Sequence, residues 1–304
     1  MKGLIVKSTG LWYEVQSDGK MYVARLRGKF KLEDKRLTNP LAVGDWVEII
    51  KNDQPENEWV IEKIYPRKNY VIRQSPRKKG HDHLIASNIS QGVVIVTLRL
   101  PRTSVGFIDR FLITLEAFRI PGMIIFNKSD IYKEKDLVLY RELQEIYESI
   151  GYCVLLTSFE NDSLNRIKDL FHGKLSLLTG HSGAGKSTLV NKLIPNAKQK
   201  VKEVSRFASK GVHTTTFAEL FQMDAYSAII DSPGIKELGL SEITDEELPH
   251  YFPEMRALLG KCKYHNCIHE NEPGCVIKEG VGHSISERRY ESYLSILRNE
   301  ENHR

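Results

Sequence analysis

The segment Gly180-His181-Ser182-Gly183-Ala184-Gly185-Lys186-Ser187 follows the apolar run Leu175–Thr179 and leads through Thr188 into a helix-forming stretch. It has the glycine spacing and Lys-Ser ending of a phosphate-binding loop. Glycines bring backbone amides against phosphate oxygens at a helix N-terminus, while Lys186 reaches the β and γ phosphates and Ser187 offers a hydroxyl to Mg²⁺. A second apolar run, Ala228-Ile229-Ile230, ends in Asp231-Ser232-Pro233-Gly234. In that pattern Asp231 holds Mg²⁺ and the Gly234 amide senses the γ-phosphate. Phe126-Asn127-Lys128-Ser129-Asp130 closes a third apolar run. A carboxylate at Asp130 accepts from both the ring N–H and the exocyclic amine of guanine, a donor pair that adenine lacks. Thr157-Ser158 ends the next run and is expected to back the guanine ring, although two hydroxyl residues also serve as helix caps. GTP and GDP, with Mg²⁺, are the ligands this set implies. Downstream, Cys262, Cys267, His269 and Cys275 place three thiols and an imidazole within 14 residues, a Cys₃His set suited to one structural zinc.

The order of these motifs differs from that of ordinary small GTPases, where the phosphate loop comes first and the guanine-reading motif last. Here Asn127 to Asp130 and Thr157-Ser158 precede the loop, and Asp231 to Gly234 follows it. That order implies a circular permutation, which the closeness of domain termini permits. The chain after Asp231 then runs directly into the C-terminal unit.

The elements that must hold these residues are readable around them. From Gly92 to Thr179 short apolar runs alternate with amphipathic helical stretches near 105–119, 134–150 and 163–170, the pattern of an α/β layer with a largely parallel sheet. Residues 2–73 instead carry short alternating runs broken by turn signals, which predicts about five strands closed as an OB-type barrel. Lys7, Lys20, Arg25, Arg27, Lys29 and Lys31, with Trp12, Tyr13 and Tyr22, give that barrel the basic and aromatic mixture used on single-stranded nucleic acid, and an ordinary solvated barrel with core aromatics fits equally. The expected division is a barrel over 1–73, a basic linker over 74–91, a circularly permuted P-loop GTPase unit over 92–240, and a helical zinc-binding domain over 241–304. Thr244 to Glu247 reads as a helix cap, and the last segment, where glutamates dilute Arg288, Arg289, Arg298 and Arg304 as rRNA contacts, as a solvated helix.

Composition sets the outer bounds. A chain of 304 residues exceeds the ~150-residue single-domain prior about twofold. No run reaches the ~20 apolar residues of a membrane span, and MKGLIVKSTG lacks the apolar core of a signal peptide, so a cytoplasmic protein with no membrane partner is expected. The net charge of +5 is unevenly spread: residues 1–80 hold 17 Lys and Arg against 10 Asp and Glu, and the other 224 residues total −2.

The permuted motif order, the N-terminal barrel and the Cys/His spacing together resemble the RsgA family of small ribosomal subunit assembly GTPases over essentially the whole chain. The resemblance implies GTP hydrolysis during late maturation of the 30S subunit, contact with 16S rRNA, and a monomer. It matches the four zinc ligands residue by residue and leaves His265 as a surface residue. It also singles out Gly211-Val212-His213-Thr214-Thr215-Thr216 as switch I, with Val212 where Arg or Gln is more familiar. Thr215 is the choice for the Mg²⁺ threonine, Thr214 and Thr216 being its alternatives in register. Position 235 is Ile, so the water-orienting glutamine of Ras-like enzymes is absent and His213 is the implied residue for placing water. Slow turnover stimulated by the subunit follows. A different class of reading, an RNA-binding assembly scaffold whose nucleotide is mainly structural, stays open at this point, and a permuted GTPase of the large subunit is disfavoured by the barrel and zinc arrangement.

Overall fold

The computed structural model describes residues 1–10, 12–27, 39–52, 58–74, 82–159, 164–195, 197, 218–231 and 243–300. Its N-terminal strands are β1 (Lys2–Ser8), β2 (Trp12–Ser17), β3 (Lys20–Leu26), β4 (Trp46–Lys51) and β5 (Trp59–Ile64). They pair in the order β1-β2-β3-β5-β4, and β1 also pairs with β4, which closes the barrel. Alternation does the work, as one face of each strand points inward. Ile5, Tyr13, Val15, Ala24, Val47, Ile49 and Ile61 form the barrel core with Leu41.

Two strands follow, β6 (Tyr70–Gln74) and β7 (Asp82–Ser87), paired antiparallel. The linker expected over 74–91 is therefore corrected: residues 82–87 form a strand, and Gln91 opens the next. The reason is apolar burial that the basic residues before it obscured, since Ala86 and Ile89 enter the core of the following unit. A buried carboxylate fastens the join. Asp45 accepts from the Ala42 amide at 2.8 Å, from Arg67 at 2.6 and 2.7 Å, and from Ser87 at 2.6 Å. Beside it Gly44 has φ +96°, and a Cβ there would lie 2.2 Å from the Ser87 carbonyl oxygen, so only glycine fits.

The α/β unit contains β8 (Gln91–Val96), α1 (Val105–Ala117), β9 (Gly122–Phe126), α2 (Glu134–Ser149), β10 (Cys153–Leu156), α3 (Asn165–Phe171), β11 (Leu175–Thr179), α4 (Lys186–Leu193), β12 (Glu219–Gln222) and β13 (Ala228–Asp231). Its strands lie in the order β10-β9-β8-β11-β13-β12, parallel except for β12. Apolar side chains pack on both faces of this sheet, as a parallel sheet requires. At its edge β12 meets β1 through Lys7 and Glu219, so barrel and α/β unit share one continuous sheet. Beyond 243 come one-turn helices and the C-terminal helix Glu287–Leu297, with a core of its own built on Phe252, Met255, Ile277 and Tyr293. Thr244 and Glu247 bond each other's backbone amides at 3.2 and 3.3 Å across a turn, and the short helix that follows begins only at Leu248, without a side-chain cap. No helix among the described residues is long and apolar enough to cross a membrane.

Candidate nucleotide site and metal cluster

Parallel register brings the motif-bearing strand ends level. Val96 pairs with Phe126, Phe126 with Leu156, and Leu178 with Asp231. The guanine-motif strands lie on one side of β11 and the Asp231 strand on the other, which makes the carboxyl ends of β8 and β11 the crevice where open α/β sheets bind ligands.

A cavity of about 580 Å³ occupies that crevice, lined among others by Asn127, Lys128, Asp130, Ser158, Ser182, Gly183, Gly185, Lys186, Ser187 and Thr188. Asn127 is buried and ties its three walls together. Its Nδ2 donates to the Ala184 carbonyl at 2.8 Å, and its Oδ1 accepts from the Phe159 amide at 2.9 Å. Gly185, at φ +111°, lies so close that a Cβ would fall 2.3 Å from Asn127 Nδ2. Ser158 Oγ donates to Asp130 Oδ1 at 2.6 Å, leaving the other carboxylate oxygen for a ligand. Thr157 is buried, and its carbonyl accepts from the Ser129 amide at 3.1 Å. Lys128 adopts a left-handed conformation and donates to the Leu100 carbonyl at 2.6 Å.

The phosphate loop turns as its glycines allow. Gly180 and Gly183 have φ +145° and +82°, and a Cβ on Gly180 would lie 2.3 Å from the Ile95 carbonyl oxygen. Gly180, His181 and Ala184 form the back of the loop rather than the cavity wall, with the His181 ring tilted on Phe107 at 4.1 Å. Lys186 Nζ donates to the Gly180 and His181 carbonyls, which holds it against the loop. Burial lowers the pKa of Lys186, partly opposed by Asp231; burial raises that of Asp231, partly opposed by Lys186. Among the described residues Asp231 Oδ1 is buried with no hydrogen-bond partner, an oxygen with lone pairs available to a cation. With the Ser187 hydroxyl on the cavity wall, these residues fit Mg²⁺ held against nucleotide phosphates. His213, Thr215 and Gly234 lie outside the described residues.

Sequence reasoning missed Leu100, Ile131 and Phe159 on the cavity wall. Adjacency to Thr157-Ser158 was the available signal for Phe159, whereas nothing in the pattern pointed to Leu100. Tyr132 was missed as well: its hydroxyl accepts from the Leu98 amide at 3.0 Å and donates to the Asn127 carbonyl at 2.9 Å.

The four Cys/His ligand atoms lie within 4.8 Å of one another. His269 Nδ1 is 3.6 Å from Cys262 Sγ and 3.4 Å from Cys275 Sγ, and those two sulfurs are 3.9 Å apart. A tetrahedral ion with sulfur at about 2.3 Å and nitrogen at about 2.0 Å needs ligand-to-ligand edges of about 3.5–3.8 Å. The cluster therefore fits a tetrahedral metal ion, and His265 is exposed outside it. Burial, with the neighbouring thiols, pushes the Cys267 thiol up to about 12, and a bound cation would favour the thiolate instead. The loop is shaped by Glu272, which accepts from the Ile268, Glu270 and Asn271 amides at 2.8, 2.9 and 3.1 Å. Tyr290 and Tyr293 donate to the His269 and Ile268 carbonyls and bind that loop to the C-terminal helix.

That helix departs from the solvated reading. Arg289 is 1% exposed and pairs with Asp109 of α1 and, at 2.7 Å, with Glu254. Its neighbours do stay at the surface, Arg288 with Glu142 and Arg298 with Glu270. A short sequence window hides this because the partners sit 180 and 35 positions away.

Fold and site together define a circularly permuted P-loop GTPase. The family model described as RsgA GTPase matches residues 64–241, and that of the RsgA N-terminal domain matches residues 2–57. The chain belongs to the RsgA family and is a GTP-hydrolysing enzyme. It is 52% identical to the small ribosomal subunit biogenesis GTPase RsgA of Cytophaga hutchinsonii, covering all of both chains. It is 45% identical to RsgA 2 of Bacteroides thetaiotaomicron, over 99% of this chain and 97% of that one. Among solved structures it resembles YjeQ from Thermotoga maritima, with a TM-score of 0.76 and 32% identity over 100% and 99% of the two chains. It also resembles YloQ, a circularly permuted GTPase, at a TM-score of 0.73 and 28% identity over 98% and 94%.

Proposed function

We propose that this GTPase binds the small ribosomal subunit and assists its late maturation, hydrolysing GTP to GDP and phosphate with stimulation by the subunit. The observation that carries the nucleotide half is the Asn127 link, which holds the guanine-motif loop and the phosphate loop around one cavity. The ribosomal half rests on full-length similarity to small-subunit biogenesis GTPases.

In this reading Asp130 takes the guanine edge, Lys128 and Thr157-Ser158 flank the base, and the amides from Gly180 to Thr188 with Lys186 take the phosphates. Ser187, Asp231 and Thr215 would hold Mg²⁺, which when bound neutralises charge on the phosphates. His213 positions water and the Gly234 amide meets the γ-phosphate. Cys262, Cys267, His269 and Cys275 would hold zinc, which when bound stabilises a unit whose own core is small. The protein acts as a cytoplasmic monomer whose barrel and metal-bearing unit contact 16S rRNA, most tightly with GTP in place.

Hydrolysis by the full chain, measured alone and with purified 30S subunits, tests this. Turnover should rise with subunits, and His213→Ala should lose that rise while still co-sedimenting with subunits in a non-hydrolysable GTP analogue. Fast hydrolysis that ignores subunits rejects the proposal, and normal subunit release by Lys186→Ala, which cannot turn over, favours the scaffold.

A further inference from the structure

Of the basic residues read from sequence as the RNA face of the barrel, Lys7, Arg25 and Arg27 are paired within the fold, whereas Lys20 and the aromatic Trp12 are exposed. Lys7 pairs with Glu219 at 3.5 Å, Arg25 with Glu58 at 2.6 Å, and Arg27 with Glu62. Tyr13 is in the core, and Tyr22 is half-buried edge-on to Trp59 at 4.7 Å. Lys29 and Lys31 lie outside the described residues.

A different surface of the same barrel has the opposite character. Trp46, at the start of β4, is 41% exposed. Tyr65, just past β5, donates its amide to the Trp46 carbonyl at 2.9 Å, so the two residues are neighbours. Lys2 Nζ lies 4.8 Å from the Trp46 ring centroid and 5.2 Å from that of Tyr65, and Lys63 Nζ lies 5.3 Å from Tyr65. Glu48 stands opposite both lysines in strand register. Neither lysine forms an ion pair within 4 Å among the described residues, Glu48 included.

We infer that Trp46 and Tyr65, with Lys2 and Lys63, form a stacking platform for unpaired nucleotides of an RNA strand. The inference rests on the RNA-binding role proposed above and assigns it to a face that the sequence reading did not choose. An ammonium over an exposed ring is held more weakly than a base stacked on the same ring, so an incoming base can take its place. The displaced lysine then has a phosphate to pair with, and its charge changes partner instead of being left alone. Duplex RNA offers phosphates and sugars but keeps its bases stacked inside, so the two rings would have nothing to bind. Charge complementarity and two adjacent π faces therefore select a single-stranded segment, loop or bulge.

The test uses the full chain and a labelled oligouridylate of about ten nucleotides, compared with a fully paired RNA duplex, by fluorescence anisotropy. Trp46→Leu should weaken oligouridylate binding about ten- to a hundredfold, the effect of losing one aromatic stack, with little change for the duplex. Lys2→Ala with Lys63→Ala should flatten the dependence of log K on log salt by about 1.4, two single-strand phosphate contacts. Val23→Ala, also on an exposed barrel position, serves as the folded comparison and should leave affinity unchanged. Unchanged binding by Trp46→Leu, or an equal loss in Val23→Ala, overturns the assignment. Co-sedimentation with 30S subunits separates the two levels: a chain that binds subunits but ignores Trp46 rejects this face alone, whereas one that binds none rejects the underlying role.

Discussion

Replacing Arg289 by Met removes the cation from a site where two carboxylates depend on it. The Arg289, Asp109 and Glu254 side chains are 1%, 0% and 3% exposed, so none can turn to solvent while the fold holds. Burial alone would lower the Arg289 pKa, but Asp109 and Glu254 outweigh it and keep the guanidinium charged. Phe252 and Tyr147 cover it at 4.6 and 5.7 Å, and Tyr147 donates to Asp109 at 2.8 Å. Asp109 Oδ2 already lacks a hydrogen-bond partner among the described residues. Removing one member of a buried pair typically costs about 3–5 kcal/mol, because the remaining charge is stranded. For a cooperative unit of this size each kcal/mol lowers Tm by about 2–4 °C, giving a fall of roughly 6–20 °C. The molecule supplies two separable readouts: its tryptophans, Trp12, Trp46 and Trp59, all lie in the barrel, and its described α-helices all lie outside it. Thermal scans should show the circular dichroism transition falling by that amount while tryptophan emission moves less. Adding Asp109→Asn to Arg289→Met should recover about 1–3 kcal/mol, the range for residues in contact. A fall below about 2 °C, or no recovery in the double variant, refutes the account.

Asp130→Asn should lower GTP affinity at least about a hundredfold and restore binding of xanthosine triphosphate, whose base offers a carbonyl where guanine has the amine; calorimetry with both nucleotides checks this. Ser158→Ala, which removes one donor to Asp130, should weaken GDP by about five- to tenfold. Asp231→Asn should abolish Mg²⁺-dependent hydrolysis yet stabilise the nucleotide-free protein at neutral pH by about 1 kcal/mol, because a buried carboxylate without a hydrogen bond is replaced by a neutral amide. Burial has raised the folded-state pKa of Asp231, so the unfolded chain holds its proton less tightly. The stabilisation is therefore present above the raised value and fades as pH falls through it towards the ordinary carboxylate range, measurable as Tm against pH. Elemental analysis should find one metal ion per chain, and Cys275→Ser or chelation should remove it and lower the helical transition by several degrees, with hydrolysis in the absence of subunits much less affected.

The motifs could be read because each is local. A glycine loop, Asn-Lys-x-Asp and Asp-x-x-Gly announce themselves within a few residues, and the sheet that aligns them follows from apolar runs ending at the same point in each repeat. Contacts between distant residues carried no such signal. Arg289 was one arginine among glutamates until the fold set it against Asp109. The ion pairs of the barrel were hidden for a related reason: Lys7, Arg25 and Arg27 are cationic in composition, and Glu219, Glu58 and Glu62 come beside them only in the fold. Net charge therefore located the basic quarter of the chain without showing which of its cations are paired. The segment 82–91 was misjudged because a basic, proline-containing stretch precedes it, while its own Leu84, Ala86 and Ile89 are buried.

The permuted order gives the C-terminal unit two attachments to the nucleotide site. One is the chain that continues from Asp231, and the other is α1. Phe107, in the first turn of α1, packs on His181 of the phosphate loop. Two residues further on, Asp109 grips Arg289, and farther along Ile113 enters the C-terminal core and Glu116 pairs with Arg256 at 2.6 Å. Arg110 also donates to the Glu300 carbonyl at 2.9 Å. A nucleotide can shift the C-terminal unit only through a difference in its interactions with two arrangements. Any arrangement that parts the unit from α1 must first break the buried Arg289 network, whereas one that moves α1 and the unit together leaves it intact. The cheaper motion is therefore a joint one, in which α1 and the C-terminal unit move as a single body.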